Sequence, residues 1–103
     1  MTVTDLIPHS LQARIPPLYG QEHIADPIMW VKLFTPDAQW TWYIQEWDGT
    51  DRCFGWVVGL EQELGYFSLA ELLTVRGPLG LPIERDRGFH PTSLSQVKTW
   101  HRH

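Results

Sequence analysis

The hydrophobic pattern changes period along the chain, and each change marks a different element. Between residues 4 and 15, Leu6, Ile7, Leu11 and Ile15 recur near helical spacing, with Thr4 and Asp5 placed to cap and Pro8 in the first turn, so a helix is predicted over 4–15. Pro16 and Pro17 stop it, and residues 18–27 form a connection holding Gly20 and Pro27. Residues 28–34 are then apolar and β-prone apart from Lys32. A turn over 35–39 leads to the strongest strand of the chain, Trp40-Thr41-Trp42-Tyr43-Ile44-Gln45-Glu46-Trp47. Asp48-Gly49-Thr50-Asp51 is a hairpin turn, and residues 53–60 form a third strand. Strands joined by turns this short make an antiparallel meander, which is Trp-rich across residues 28–67.

After the meander the spacing becomes helical again. Ser68 and Glu71 form a capping box, in which hydroxyl and carboxylate each satisfy the other residue's free backbone N–H. Leu69, Leu72, Leu73 and Arg76 share one stripe, which predicts a helix over 68–76 ended by Gly77-Pro78. Residues 77–103 read as a turn-rich segment with a charged edge strand near 83–87 and a short last helix capped by Thr92 or Ser93 and containing Leu94, Val97 and Trp100. The expectation is an α+β fold in one domain over 1–103: an antiparallel meander of three to five strands with two or three short helices packed on it.

Symmetric closure of both hairpins would set Phe34 opposite Trp40 and Trp47 opposite Arg52. One face would then carry Met29, Val31, Leu33, Thr41, Tyr43, Phe54, Trp56, Val58 and Leu60. The other would carry Trp30, Lys32, Phe34, Trp40, Trp42 and Ile44 beside Cys53, Gly55, Val57 and Gly59, with large rings over glycines. Both faces are too apolar for water, since each buried aromatic or branched side chain is worth about 2 kcal/mol. Short helices can cover one face and part of the second, and whatever stays open is a partner or ligand surface. The competing expectation is that the terminal segments wrap the second face and bury the Trp side chains as ordinary core.

Composition narrows the function only by exclusion. Hydrophobic residues at 43% and charged residues at 19% match an ordinary folded domain rather than a disordered or fibrous chain. No apolar run approaches the roughly 18 residues of a bilayer span, and no basic region precedes an apolar stretch at the N-terminus, so a cytoplasmic location is expected. The lone Cys53 can form neither an internal disulfide nor a thiolate zinc site, in keeping with a reducing compartment. With 12 acidic and 8 scattered basic residues, the net charge of −4 is poor material for gripping phosphates, and nucleic acid is not the expected partner.

A family resemblance rests on the run Phe34-Thr35-Pro36-Asp37 with Trp40-Thr41-Trp42-Tyr43, on residues 55–61 (Gly55-Trp56-Val57-Val58-Gly59-Leu60-Glu61), on residues 63–68, and on residues 76–86. These motifs resemble the bacterial domain-of-unknown-function family 2958 from about the first helix to Val97. The resemblance implies a small standalone product associated with plasmids and other mobile elements. It supplies no catalytic residues.

Candidate chemistry is sparse. Glu61, Glu63, Glu84 and Asp86 with His90 are the one grouping that could serve a small metal-dependent hydrolase, because carboxylates with one imidazole suit a hard divalent cation. Glu61 and Glu63 also fit a solvated strand exit, and Glu84-Arg85-Asp86-Arg87 fits an edge strand protected by alternating charge. Of His9, His23, His90, His101 and His103, none stands at i, i+4 spacing with another ligand on a predicted helix, so no metal site and no cofactor is expected. The leading expectation is a non-enzymatic binding protein, docking a partner protein or a second copy through Trp30, Trp40, Trp42, Trp47, Leu79 and Leu81. An aromatic platform for single-stranded nucleic acid would use the same rings.

Overall fold

Strand β3 (Thr41–Trp47) is buried along its whole length, and the rest of the chain is arranged around it. In the computed structural model, which describes residues 2–102, β3 is the middle of a five-stranded antiparallel sheet ordered β5-β4-β3-β2-β6. Its neighbours are β2 (Val31–Phe34), β4 (Arg52–Val58), β5 (Gln62–Ser68) and β6 (Glu84–Arg85). A second sheet pairs β1 (Ile28–Met29) with β7 (Thr92–Ser93). Four short helices complete an α+β fold: α1 (Val3–Leu6), α2 (His9–Gln12), α3 (Leu69–Leu72) and α4 (Leu94–Thr99). No helix among the described residues is long and apolar enough to cross a membrane.

The register corrects the expected faces. Phe34 pairs with Thr41 rather than Trp40. The loop closes instead between Thr35 and Trp40: the Thr35 N–H donates to the Trp40 carbonyl at 3.0 Å, and the Trp40 N–H donates to the Thr35 hydroxyl at 3.0 Å. A slip of one residue reverses a whole strand, so Val31 and Leu33 join Trp42 and Ile44, while Lys32 and Phe34 join Thr41 and Tyr43. The second hairpin keeps its expected pairing from Thr41↔Val58 to Ile44↔Gly55. A bulge between Ile44 and Glu46 then sets Trp47 opposite Cys53 instead of Arg52. That shift turns Trp47 into the core that Trp42, Ile44 and Cys53 share.

Both faces of the sheet are covered, by different helices. On one, Leu6, Ile7, Ile15, Leu69, Leu72 and Ile83 pack against Val31, Leu33, Trp42, Ile44, Trp47 and Cys53. On the other, Leu94 and Val97 of α4 pack against Met29, Tyr43 and Trp56. Local chemistry shortens the helices. The stretch 4–15 is two helices because Ile7, preceding Pro8, is held extended at φ −124° and ψ 103°. Ser68 caps α3 by accepting the Glu71 N–H at 3.2 Å, and Arg76 then donates to the Leu73 and Val75 carbonyls where a longer helix was expected. Ser93 caps α4. The segment expected as a strand exit at Glu61 and Glu63 is instead the turn into β5 and β5 itself, a seven-residue strand paired along its length with β4.

Candidate binding surfaces

The indoles divide into core and surface. Trp42 and Trp47, at 8% and 6% exposure, are core residues, and Trp30 is half-buried under the Arg14 guanidinium, 5.3 Å from its ring. Of the four Trp residues expected at a contact surface, Trp40 alone is open, at 40% exposure. Its ring stacks on Trp42 with centroids 5.9 Å apart and covers Gly59, where any Cβ would collide with it. Ring-over-glycine packing was legible in the sequence, and here it holds Trp40 upright at the surface.

The loop 77–82 comes to this ring because Asp37 fastens it. One Asp37 oxygen accepts the Leu79 N–H at 2.7 Å, and Gly77 lies so close to that carboxylate that a side chain there would displace it. The Gly77 N–H donates to the Leu81 carbonyl, closing the loop. Leu79 is left 78% exposed and Leu81 42% exposed. Trp40, Trp42, Val75 and Pro78 line an apolar cavity of about 370 Å³ beside them. The loop that carries Leu79 and Leu81 thus borders the Trp40 cavity through Gly77 and Pro78, with Trp42 also in its lining and Trp30 and Trp47 outside it.

The acidic grouping does not assemble. Glu61 and Glu63 lie at and within β5, one edge of the five-stranded sheet, whereas Glu84 lies in β6 at the other edge. Four inter-strand steps separate them, roughly 19 Å. Asp86 pairs with Lys32 at 3.5 Å, and the exposed His90 receives the Thr92 hydroxyl on its carbonyl. Among the described residues no three His, Cys, Asp or Glu side chains converge to hold a metal ion, and the expected hydrolase set is corrected accordingly. Of the terminal histidines, His101 meets the Tyr43 hydroxyl at 2.7 Å, and His103 lies outside the described residues. Burial pushes the Tyr43 phenol up to about 12, with the Asp86 charge adding to it. Burial likewise raises the Cys53 thiol far above its ordinary value, reinforced by Asp48 and Asp51. It is a packed side chain rather than a nucleophile.

A second open region was missed in the sequence. Leu64 and Tyr66 of β5, Phe54 of β4, and Tyr19 and Ile24 of the connecting segment border a groove of about 490 Å³ floored by Gln45 and Glu46. The buried Glu46 carboxylate accepts the Tyr19 and Gln21 N–H groups at 2.8 and 2.9 Å. Gln45 is 4% exposed, and its Oε1 has no partner among the described residues. The available signal was the adjacent polar pair Gln45-Glu46 inside an otherwise apolar strand. A solvated strand does not need it, and a buried one must satisfy it.

The fold and its surfaces define a small α+β domain whose two open regions are lined mainly by apolar and aromatic side chains. Residues 6–102 match the family described as "Protein of unknown function (DUF2958)", and the chain belongs to that family. No curated protein and no solved structure matches it.

Proposed function

We propose that this chain is a non-enzymatic binding domain that docks a partner protein on the surface of Trp40, Pro78, Leu79 and Leu81. The observation that carries the reading is an exposed indole held rigid from behind. Trp40 is backed by Trp42 and Gly59 and flanked by an apolar loop that Asp37 ties in place. Rigid aromatic anchors bordered by apolar rim residues supply most of the energy at protein interfaces. Trp42 supports the anchor, while Trp47 packs in the core and Trp30 against it, away from Trp40. On this surface Trp40 is the one exposed ring, too few to stack successive bases, and a net charge of −4 does not attract phosphates, which disfavours single-stranded nucleic acid.

The partner class comes from the family resemblance alone: a host-defence or conjugation component met by a mobile-element product in the cytoplasm. The lone, buried Cys53 suits a reducing compartment. The test is co-purification from a host carrying the element, with each captured protein then tested pairwise in purified form. Trp40→Ala and Leu79→Asp should each weaken the purified pair at least tenfold with unchanged far-ultraviolet circular dichroism. Undiminished affinity in the double variant removes the proposal. Trp42→Ala is unsuitable here, because deleting a buried Trp costs about 3–5 kcal/mol and would report folding instead.

A further inference from the structure

The two edges of the five-stranded sheet are built in opposite ways. At β6 the edge is two residues long and charged, Glu84 and Arg85, with Pro82 just before it. Natural sheets blunt an edge against association in this manner. At β5 the edge runs for seven residues with neither Lys nor Pro, and it leaves Leu64 and Tyr66 exposed at 44% and 49%.

The backbone polarity of β5 follows from its pairing. The Leu69 N–H donates to the Asp51 carbonyl, and hydrogen-bonded pairs in an antiparallel ladder alternate with non-bonded ones. Cys53↔Phe67, Gly55↔Gly65 and Val57↔Glu63 are therefore the bonded pairs. The N–H and C=O groups of Leu64 and Tyr66 consequently point outward, away from β4.

We propose that β5 is the interface for a second copy of this chain, added antiparallel about a two-fold axis through Gly65 to make one continuous ten-stranded sheet, twice the five strands of one copy. In that register the outward groups of Leu64 meet those of Tyr66 in the partner copy, and the reverse, so each backbone donor finds an acceptor. Gly65 faces its own counterpart at the non-bonded position, where Cα atoms approach most closely, about 4.5 Å. Glycine at mid-strand suits such an approach, and nothing lies within 4 Å of a Cβ built there. Leu64 and Tyr66 cover each other across the axis, extending the Phe54–Tyr66 ring pair whose centroids are 4.8 Å apart. Glu63 falls opposite Phe67, and the two Glu63 carboxylates stand about 13 Å apart, beyond the screening length at physiological salt. Self-pairing therefore sets no like charges face to face. This surface is separate from the Trp40 surface, so failure of either proposal leaves the other standing.

Sedimentation equilibrium of the whole chain should give twice the single-chain mass. Leu64→Lys and Tyr66→Lys should each return it to the single-chain mass with an unchanged circular dichroism spectrum, and Trp40→Ala should leave the doubled mass intact. Gly65→Cys tests the register, because opposed non-bonded positions lie within disulfide reach. Mild oxidation should link it into a covalent dimer several-fold faster than Leu60→Cys, whose site is 95% exposed but lies in the turn, far from the axis. A wild-type chain that stays at single-chain mass up to its solubility limit overturns the proposal. So does a Gly65→Cys yield no greater than that of Leu60→Cys, or a doubled mass that survives Tyr66→Lys.

Discussion

Glu46 is a charged residue inside the most buried strand, and its neighbours explain how it is tolerated. Its carboxylate, 3% exposed, accepts the Tyr19 and Gln21 N–H groups, and the Gln21 side chain bonds Ile28 and the Gln45 carbonyl in turn. These bonds hold Tyr19 at φ 69°, a left-handed conformation that side chains rarely adopt. Glu46→Ala would leave one buried and one part-buried N–H group without acceptors, and a loss of about 2–3 kcal/mol is expected in urea unfolding. Glu46→Gln, which keeps one acceptor, should lose less; equal losses would show that the charge rather than the hydrogen bonds matters. Asp48 does a comparable task at the hairpin turn. Its carboxylate receives the N–H groups of Thr50, Asp51 and Arg52, and these bonds, that of Thr50 first, hold its pKa below the ordinary aspartate value. A lowered folded-state pKa contributes stability above the unfolded-state value, and that contribution is lost as pH falls through the folded one. Asp48→Asn should therefore flatten the acid limb of the stability curve below about pH 4 and leave its neutral limb parallel to wild type. An unchanged acid limb in urea titrations would show that Asp48 makes no such contribution.

At the scale of elements, the two helices that follow strands directly are each anchored by an aspartate from a distant loop. Asp51 accepts the Ala70 N–H at 2.7 Å and the Ser68 hydroxyl at 2.7 Å, tying α3 to the β3–β4 hairpin. Asp26 accepts the Ser95 N–H and hydroxyl at the start of α4. Asp51→Ala should cost about 1–2 kcal/mol, the usual effect of losing a capping interaction. Its effect should add to that of Asp26→Ala, because separate sites couple weakly; strong non-additivity in urea melts would contradict independent anchoring. The serine caps of these helices were legible because capping is local chemistry. So were the Trp-rich strands and the short charged edge at Glu84 and Arg85. The long-range aspartate anchors were not, since nothing local distinguishes Asp26 or Asp51 from solvated turn residues. The register slip at Thr35 was hidden for a related reason. A threonine that closes a loop with its own hydroxyl looks, in sequence, like any turn residue. Strand β5 escaped because Gln62, Glu63 and Gly65 break the alternation that identifies a half-buried strand.

Across the whole molecule, the two apolar faces read from the sequence are real, and their covering is uneven. Helices α1, α2 and α3 close one face, whereas α4 closes the other only over Met29, Tyr43 and Trp56, which leaves Phe54, Leu64 and Tyr66 to border an open groove. The sequence foresaw an uncovered remainder but assigned it to Trp side chains. The bulge turned Trp47 inward, the helices buried Trp42 on its expected face, and tyrosine and leucine were left at the margin. Of the six Trp residues, Trp40 and Trp100 are open at 40% and 48%, Trp30 is half-buried, and Trp42, Trp47 and Trp56 are sealed. Acrylamide quenching should therefore resolve two populations of indole. In the double variant Trp40→Phe and Trp100→Phe the quenchable population should largely disappear, while the protected emission keeps its blue-shifted maximum. A double variant as quenchable as wild type would mean that solvent reaches the indoles beneath α3 or α4, which a sheet covered on both faces does not allow.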